Sequence, residues 1–448
     1  MAFTVVIIAI FVIGYLMIAL EHPLNIDKTA PALMIGVLTW AVFALGVNYL
    51  GYEVDFAHTY QQLGLAFNAA DTPAHHVEDL LGHFVTEIAY ILFFLLGAMT
   101  IVELIDMHDG FHLITSRITT SNKVKVLWII GVLTFFLSAV LDNLTTSIVM
   151  VSLLRKLIKD RETRLYFAGM VVICANAGGA WSPIGDITTT MLWIGGQISV
   201  GPTITDIIIP SIVCAVVPLT IMSFRMKGNF PKGDTQTVYK TTSFERTLIL
   251  MVGVGSLVFV PVFKTVTHLP PYMGMLFGLS VLWFTTEFIH KRKDSTEKSK
   301  YSVLRALSRI DTPSVLFFLG ILSAVAALES IGVLHALAEG LDHSVGNYNV
   351  IVVIMGVLSA IVDNVPLVAA AMGMYSIEQF PMDDHFWQFV AYCAGTGGSM
   401  LIIGSAAGVA VMGIEKMDFI WYLRKFGLLA MIGYLAGAGT FLLFNMVL

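Results

Sequence analysis

Charge is what this chain has least of. Of its 448 residues only 12% are charged and 57% are hydrophobic, where an ordinary soluble domain carries ~25% charged residues. So little polar surface excludes a water-facing globular body of this length. Cysteine is almost absent too: Cys174, Cys214 and Cys393 lie in apolar surroundings without CxxC spacing, which excludes a disulfide framework and a thiolate zinc site. There is no HExxH and no nucleophile–base pair or metal motif inside an apolar stretch, so an intramembrane enzyme has no support. No basic n-region precedes the first apolar run and no small-x-small pattern follows it. Residues 2–20 therefore read as a retained span closed by Glu21, His22 and Pro23. The expected partner is membrane lipid, not nucleic acid, and no cofactor is expected.

What the chain does have is apolar length. Residues 2–20, 31–50, 88–105, 204–224, 247–263, 272–289 and 427–448 each approach the ~20 residues that cross a bilayer as helix. Lys and Arg collect in 106–125, 155–164, 225–246, 290–309 and near 415–425, which the positive-inside rule puts on the cytoplasmic side. The segments 51–87, 335–347 and 376–385 carry acid and histidine instead and are expected outside. Two basic loops flank one apolar stretch, so 126–155 is predicted to enter and return on the cytoplasmic side. Two acidic loops flank 348–375, which is predicted to do the same from outside. The count is about ten crossings plus two re-entrant hairpins, with both termini outside.

The hairpins repeat in sequence. SAVLDNLTTSIVMV (138–151) aligns with SAIVDNVPLVAAAM (359–372), offset 221, and CANAGGAWSPIG (174–185) with CAGTGGSMLIIG (393–404), offset 219. A weaker pair, FFLLGAMTIVELI against FFLGILSAVAALESI, sets Glu103 near Glu329. The fold class expected is an all-α polytopic membrane protein of two inverted-topology repeats, each with a hairpin and a broken helix. Its parts are N-terminal spans (1–50), a first repeat (87–226, hairpin 126–155, broken helix 165–199), spans and a basic linker (227–312), and a second repeat (313–448, hairpin 348–375, broken helix 387–413). In such transporters the ion site lies near the midplane, where helices break.

Asp142 and Asp363 stand at the hairpin tips. An ionisable group in hydrocarbon costs ~2.5–3.5 kcal/mol on insertion scales. The bland explanation is a helix cap, although Asn or Ser would cap with less desolvation. The functional one is cation and proton binding, since a hard cation takes oxygen ligands. Asp142, Asn143, Thr145 and Thr146 supply such oxygens, with Asn176, Ser182, Asp186 and Thr188 around Gly178-Gly179 and Pro183. The second half offers Asp363, Asn364, Thr396, Ser399 and Ser405 around Gly397-Gly398. Broken helix also frees backbone carbonyls. Asp186 has no acidic counterpart, because Ser405 takes its place, so the main cation site is expected in the first half. A carboxylate held away from water keeps a proton until a cation displaces it, and that competition couples the two fluxes in opposite directions. Glu103 and Glu329 are expected to pair or snorkel at span ends, with a proton path as the sharper alternative. His75, His76, Glu78, Asp79, His83 and Glu87 form an outer patch, expected to be solvated, with pH sensing or metal binding as the alternative.

At these motifs the chain resembles the NhaD family of bacterial sodium/proton antiporters, within the ion transporter superfamily. The resemblance is strongest over SAVLDNLTTSIVMV, CANAGGAWSPIGDITTTMLWIGG and SAIVDNVPLVAA. It implies exchange of sodium or lithium for protons, a plasma-membrane location and a role in salt and alkali tolerance. It carries a sodium-site role to Asp142, Asn143 and Asn176 and to their partners Asp363 and Asn364. The wider superfamily implies a homodimer with a scaffold and a moving transport part. Its divalent-anion symporters carry Ser-Asn-Thr at the tips, where this chain has Asp142-Asn143-Leu144 and Asp363-Asn364-Val365. The rival reading is a sodium-coupled symporter or permease for an organic acid or a metalloid such as arsenite, which would need a cationic or thiol-rich pocket. A channel is the other rival.

Overall fold

The computed structural model describes residues 2–24, 26–63, 65–111, 113, 120–230, 241–361 and 363–447. Arg117 of the basic segment 106–125, and Lys232 and Lys240 of the segment 225–246, lie outside the described residues. Among those described there is no strand. The main helices are α1 (Ala2–Ala19), α2 (Thr29–Tyr49), α3 (Pro73–Met107), α4 (Lys123–Leu141), α5 (Asn143–Leu157), α6 (Arg161–Ala180), α7 (Ile187–Ile194), α8 (Val200–Arg225), α9 (Ser243–Thr267), α10 (Pro271–Ile289), α11 (Thr312–Ser330), α12 (Val333–Val345), α13 (Tyr348–Leu358), α14 (Asn364–Met374), α15 (His385–Gly397), α16 (Ala406–Glu415) and α17 (Leu428–Val447).

Eight helices among the described residues are long and apolar enough to cross a membrane, or nine if the bent pair α12–α13 counts as one span. The protein is a multi-pass membrane protein. The expected number was about ten crossings plus two hairpins; short apolar helices such as Asn364–Met374 and Ala406–Glu415 fall below the length of a span.

Helix α3 has 35 residues and at 1.5 Å per residue runs ~52 Å, well beyond a ~30 Å hydrocarbon core. Its first turns hold His75, His76, Glu78, Asp79, His83 and Glu87. The segment 51–87, expected as an outer loop, is thus helical from Pro73 onward. The surplus length explains how a polar patch and an apolar span share one helix.

The chain divides into two compact units: residues 1–92, 311–351 and 365–382, and residues 93–310, 352–364 and 383–448. In the first unit, α2 and α11 meet through glycine. A Cβ on Gly36 would stand 2.6 Å from the Gly320 carbonyl oxygen, and Trp40 Nε1 donates to Ser323 O (2.8 Å). Small residues let backbones pack closely where lipid gives helices no hydrophobic reason to associate.

In the second unit the sequence repeat returns as a repeat of contacts. Ser138 Oγ donates to Ala175 O (2.6 Å), and Ser359 Oγ to Ala394 O (2.9 Å). A Cβ on Gly178 would lie 2.1 Å from Phe135 O, and one on Gly397 would lie 1.9 Å from Gly356 O. Gly185 packs on Ser138 O as Gly404 packs on Ser359 O. Each pair keeps the offsets of 221 and 219 seen in the sequence, so α4 crosses α6 as α13 crosses α15.

Candidate functional site

Helix α4 ends and α5 begins at Asp142, which has left-handed backbone (φ 88°). For a non-glycine residue that costs energy and persists only where surroundings over-determine it. Its carboxylate caps α5: Oδ1 accepts from Thr145 N (2.8 Å) and Oδ2 from Thr145 Oγ1 (2.7 Å). The capping role is therefore real, and it engages both oxygens and the Thr145 hydroxyl. Asp142 is half-buried.

One residue on, the buried Asn143 turns inward. Its Nδ2 donates to Asp186 Oδ2 (2.5 Å) and to Asn176 Oδ1 (3.2 Å). Asn176, fully buried on α6, donates through Nδ2 to Ser399 Oγ and Ser405 Oγ, both at 2.9 Å. Asp186, 1% exposed, caps α7 by accepting from Thr188 N (2.9 Å) and Thr188 Oγ1 (2.8 Å). Ser405 caps α16 by accepting from Gly408 N (3.2 Å). One hydrogen-bonded line, Asp186–Asn143–Asn176–Ser399 and Ser405, thus joins both repeats in the interior of the unit. Helix N-termini carry partial positive charge, which suits carboxylates at the starts of α5 and α7.

The remaining expected residues fall around this line. Thr146, three residues after Asn143 and so on its face of α5, is buried, and its Oγ1 meets no hydrogen-bond partner; nor does the neighbouring buried Ser147 Oγ. Asp363 stands half-buried just before α14, and Asn364 is buried as that helix's first residue. Three groups bond locally instead of into the line. Thr145 caps with Asp142, Ser182 Oγ accepts from Ile184 N (3.4 Å), and Thr396 Oγ1 donates to Tyr392 O of its own helix (2.6 Å).

Gly178, Gly179, Gly397 and Gly398 sit at the ends of α6 and α15, where a side chain would strike backbone oxygen. Of the carbonyls freed by the first break, Ser182 O accepts from Thr189 Oγ1 and Pro183 O from Thr190 Oγ1, both at 2.8 Å. Thr189 and Thr190 were not singled out from the sequence, although the run of three threonines after Asp186 was the available signal.

Glu103 pairs with Arg309 (3.0 Å), the plainer of its two readings. In the first unit Glu329 lines a cavity of about 250 Å³ together with His58, Thr59, His335 and Glu378.

Comparison with known proteins places the chain among transporters. A family described as citrate transporter matches residues 15–388. Sodium/proton antiporter 1 of Arabidopsis thaliana is 49% identical over 97% of this chain and 71% of that protein. The Na(+)/H(+) antiporter NhaD of Vibrio cholerae is 31% identical over 97% of this chain and 91% of its own. The chain belongs to the NhaD family of sodium/proton antiporters. Sodium/proton antiporter 2 of the same plant is 46% identical over 97% of this chain and 98% of that protein.

Proposed function

We propose that this chain exchanges sodium or lithium for protons, and that the ion site is built on Asp186, Asn143 and Asn176 with Ser399 and Ser405. The observation that carries the site is the buried Asp186 carboxylate tied through two amides to hydroxyls of the other repeat. The names of the NhaD relatives support the exchange.

A lone ionised carboxylate at this depth is expensive and has to be neutralised. Either a proton or a cation does so, and each excludes the other. A cation needs oxygen where Asn143 now presents Nδ2. Turning that amide by half a turn brings Oδ1 beside Asp186 Oδ2, with Asn176 Oδ1 in the same cluster and the Thr146 hydroxyl on the same face of α5. Asp142 and Asp363, nearer the tips, are the carboxylates that complete the site or take up the exchanged proton. If only neutralised forms change sides, the fluxes are coupled. Two inverted repeats with hairpins entering from opposite faces, a homodimer and a plasma-membrane location complete the reading.

The citrate transporter description favours a second reading, transport of an organic anion. A tricarboxylate needs cationic ligands. The line described above offers carboxylate, amide and hydroxyl, and its acid would repel an anion.

Everted vesicles carrying a preformed proton gradient and a pH dye decide between the two. Sodium should collapse the gradient and citrate should not; the reverse result removes the exchange reading. Asp142→Asn should abolish the sodium response while leaving thermal stability within ~1 kcal/mol, because Asn caps a helix as well as Asp. Normal exchange in that variant would take Asp142 out of the site.

A further inference from the structure

Three helices deliver groups to the ion site, and their far ends are tied to one another. Helix α5 starts at Asn143, α6 carries Asn176 near its end, and α16 is capped by Ser405. Twelve residues separate Asn143 from Arg155, and twelve separate Arg164 from Asn176, ~18 Å along a helix in each case. At that distance Glu415, the last residue of α16, accepts from Arg155 Nε through Oε1 (2.8 Å) and from Arg164 Nε through Oε2 (2.9 Å). The Glu415 side chain is fully buried and that of Arg164 nearly so. Arg155 also donates to Ile414 O, and Arg161 Nη2 to Lys416 O (3.1 Å). Both ion pairs join one repeat to the other.

A second tie sits at the repeat-related position. Position 383 follows position 164 by 219, and position 416 follows position 197 by the same offset. Asp383 N donates to Gln197 O (2.8 Å). Asp383 Oδ1 accepts from Ser199 N (2.6 Å) and Oδ2 from Ser199 Oγ (2.7 Å), from a left-handed backbone at φ 67°. This tie holds the end of α7, whose cap is Asp186, to the start of α15. The same joint is therefore made twice, once with two arginines on a glutamate and once with an aspartate on a serine.

We propose that Glu415 is a positioning residue for sodium. Its clamp on Arg155 and Arg164 fixes the spread of α5, α6 and α16, and so sets the spacing of Asn143, Asn176 and Ser405 at the site. This rests on the exchange reading above. A cation held by short oxygen contacts is sensitive to sub-ångström errors in its ligands, and misplacement from a remote change can cost up to ~100-fold. The clamp stands ~18 Å along α5 and α6 from the site groups, so it acts on the ion through their spacing.

The test uses the full-length protein in proteoliposomes, with sodium concentration varied at fixed pH. Glu415→Gln should raise the KM for sodium at least fivefold with Vmax within twofold. Arg155 is half-exposed, so Arg155→Lys keeps the charge and folds, and should raise KM two- to threefold. In detergent, both variants should show a smaller sodium-induced rise in melting temperature than wild type. Variants that melt lower but keep the wild-type KM and sodium shift would reduce the clamp to a structural tie. Vmax falling at constant KM would make it a gate instead. Either result overturns the proposal. A wild-type protein with no sodium response would instead remove the exchange reading itself.

Discussion

The two halves of the site share one scaffold and differ in charge. Ser138 and Ser359 make the same bond to a neighbouring helix, and Gly178 and Gly397 admit the same backbone crossing. Yet the cap after the first break is Asp186, and the cap after the second is Ser405. Both accept a backbone N–H, which a hydroxyl and a carboxylate do equally well. Only the carboxylate also holds the amide of Asn143 and a charge that must be neutralised. The helix crossing is made twice, while only the first copy caps its broken helix with a carboxylate; the second contributes hydroxyls to Asn176.

Substitution at the two caps breaks that comparison most sharply. Asp186→Asn should lower sodium-driven proton flux in vesicles at least ~100-fold, the scale of removing one partner from a buried charged network. Ser405→Ala removes one neutral acceptor and should cost ~5- to 10-fold. Equal losses would mean that the halves share the chemistry after all.

The scaffold comparison predicts the opposite pattern. Gly178→Ala and Gly397→Ala each force a methyl to within 2.1 and 1.9 Å of a backbone oxygen, and should destabilise by a similar ~1–3 kcal/mol. Melting curves in detergent would show both falling together; one tolerated and one not would break the symmetry.

The smallest effect lies outside both halves. His108 Nε2 and His290 Nε2 are 2.9 Å apart in a buried pair, past the ends of α3 and α10. His108 Nδ1 lies 2.7 Å from Leu104 O, and His290 Nδ1 meets no partner. Burial, then the positive charge of Lys293, pushes His290 down to about 4, and burial lowers His108. The folded protein then binds fewer protons than the unfolded chain between about pH 4 and the ordinary histidine value near 6.5. Stability is full above ~6.5 and falls as pH drops through that window. The melting temperature of His290→Gln should show a shallower decline over the same range, while its sodium KM stays at the wild-type value.

The repeat was legible in the sequence because close helix crossings demand glycine or serine at fixed places, and those letters survive in register. The membrane character was legible because composition alone forbids a water-facing coat. Asp142 was legible as an acid in an apolar run, but its capping of α5 with Thr145 was visible only as a possibility. Glu415 was passed over. It looks like the ordinary polar end of an apolar segment, and Arg155 and Arg164 look like ordinary cytoplasmic charge. The partners are 260 and 251 residues apart, and nothing in the local pattern pairs them. His108 and His290, 182 residues apart, escaped notice for the same reason.

By itself the sequence determined a multi-pass helical protein, its internal repeat and the acids and amides placed inside it, since these follow from composition, spacing and the cost of charge in hydrocarbon. The tertiary structure alone decided which oxygens meet. Helix ends hundreds of residues apart are brought within hydrogen-bond reach by backbone crossings, and hydrogen bonds fall off within a few tenths of an ångström, a precision that no linear pattern encodes.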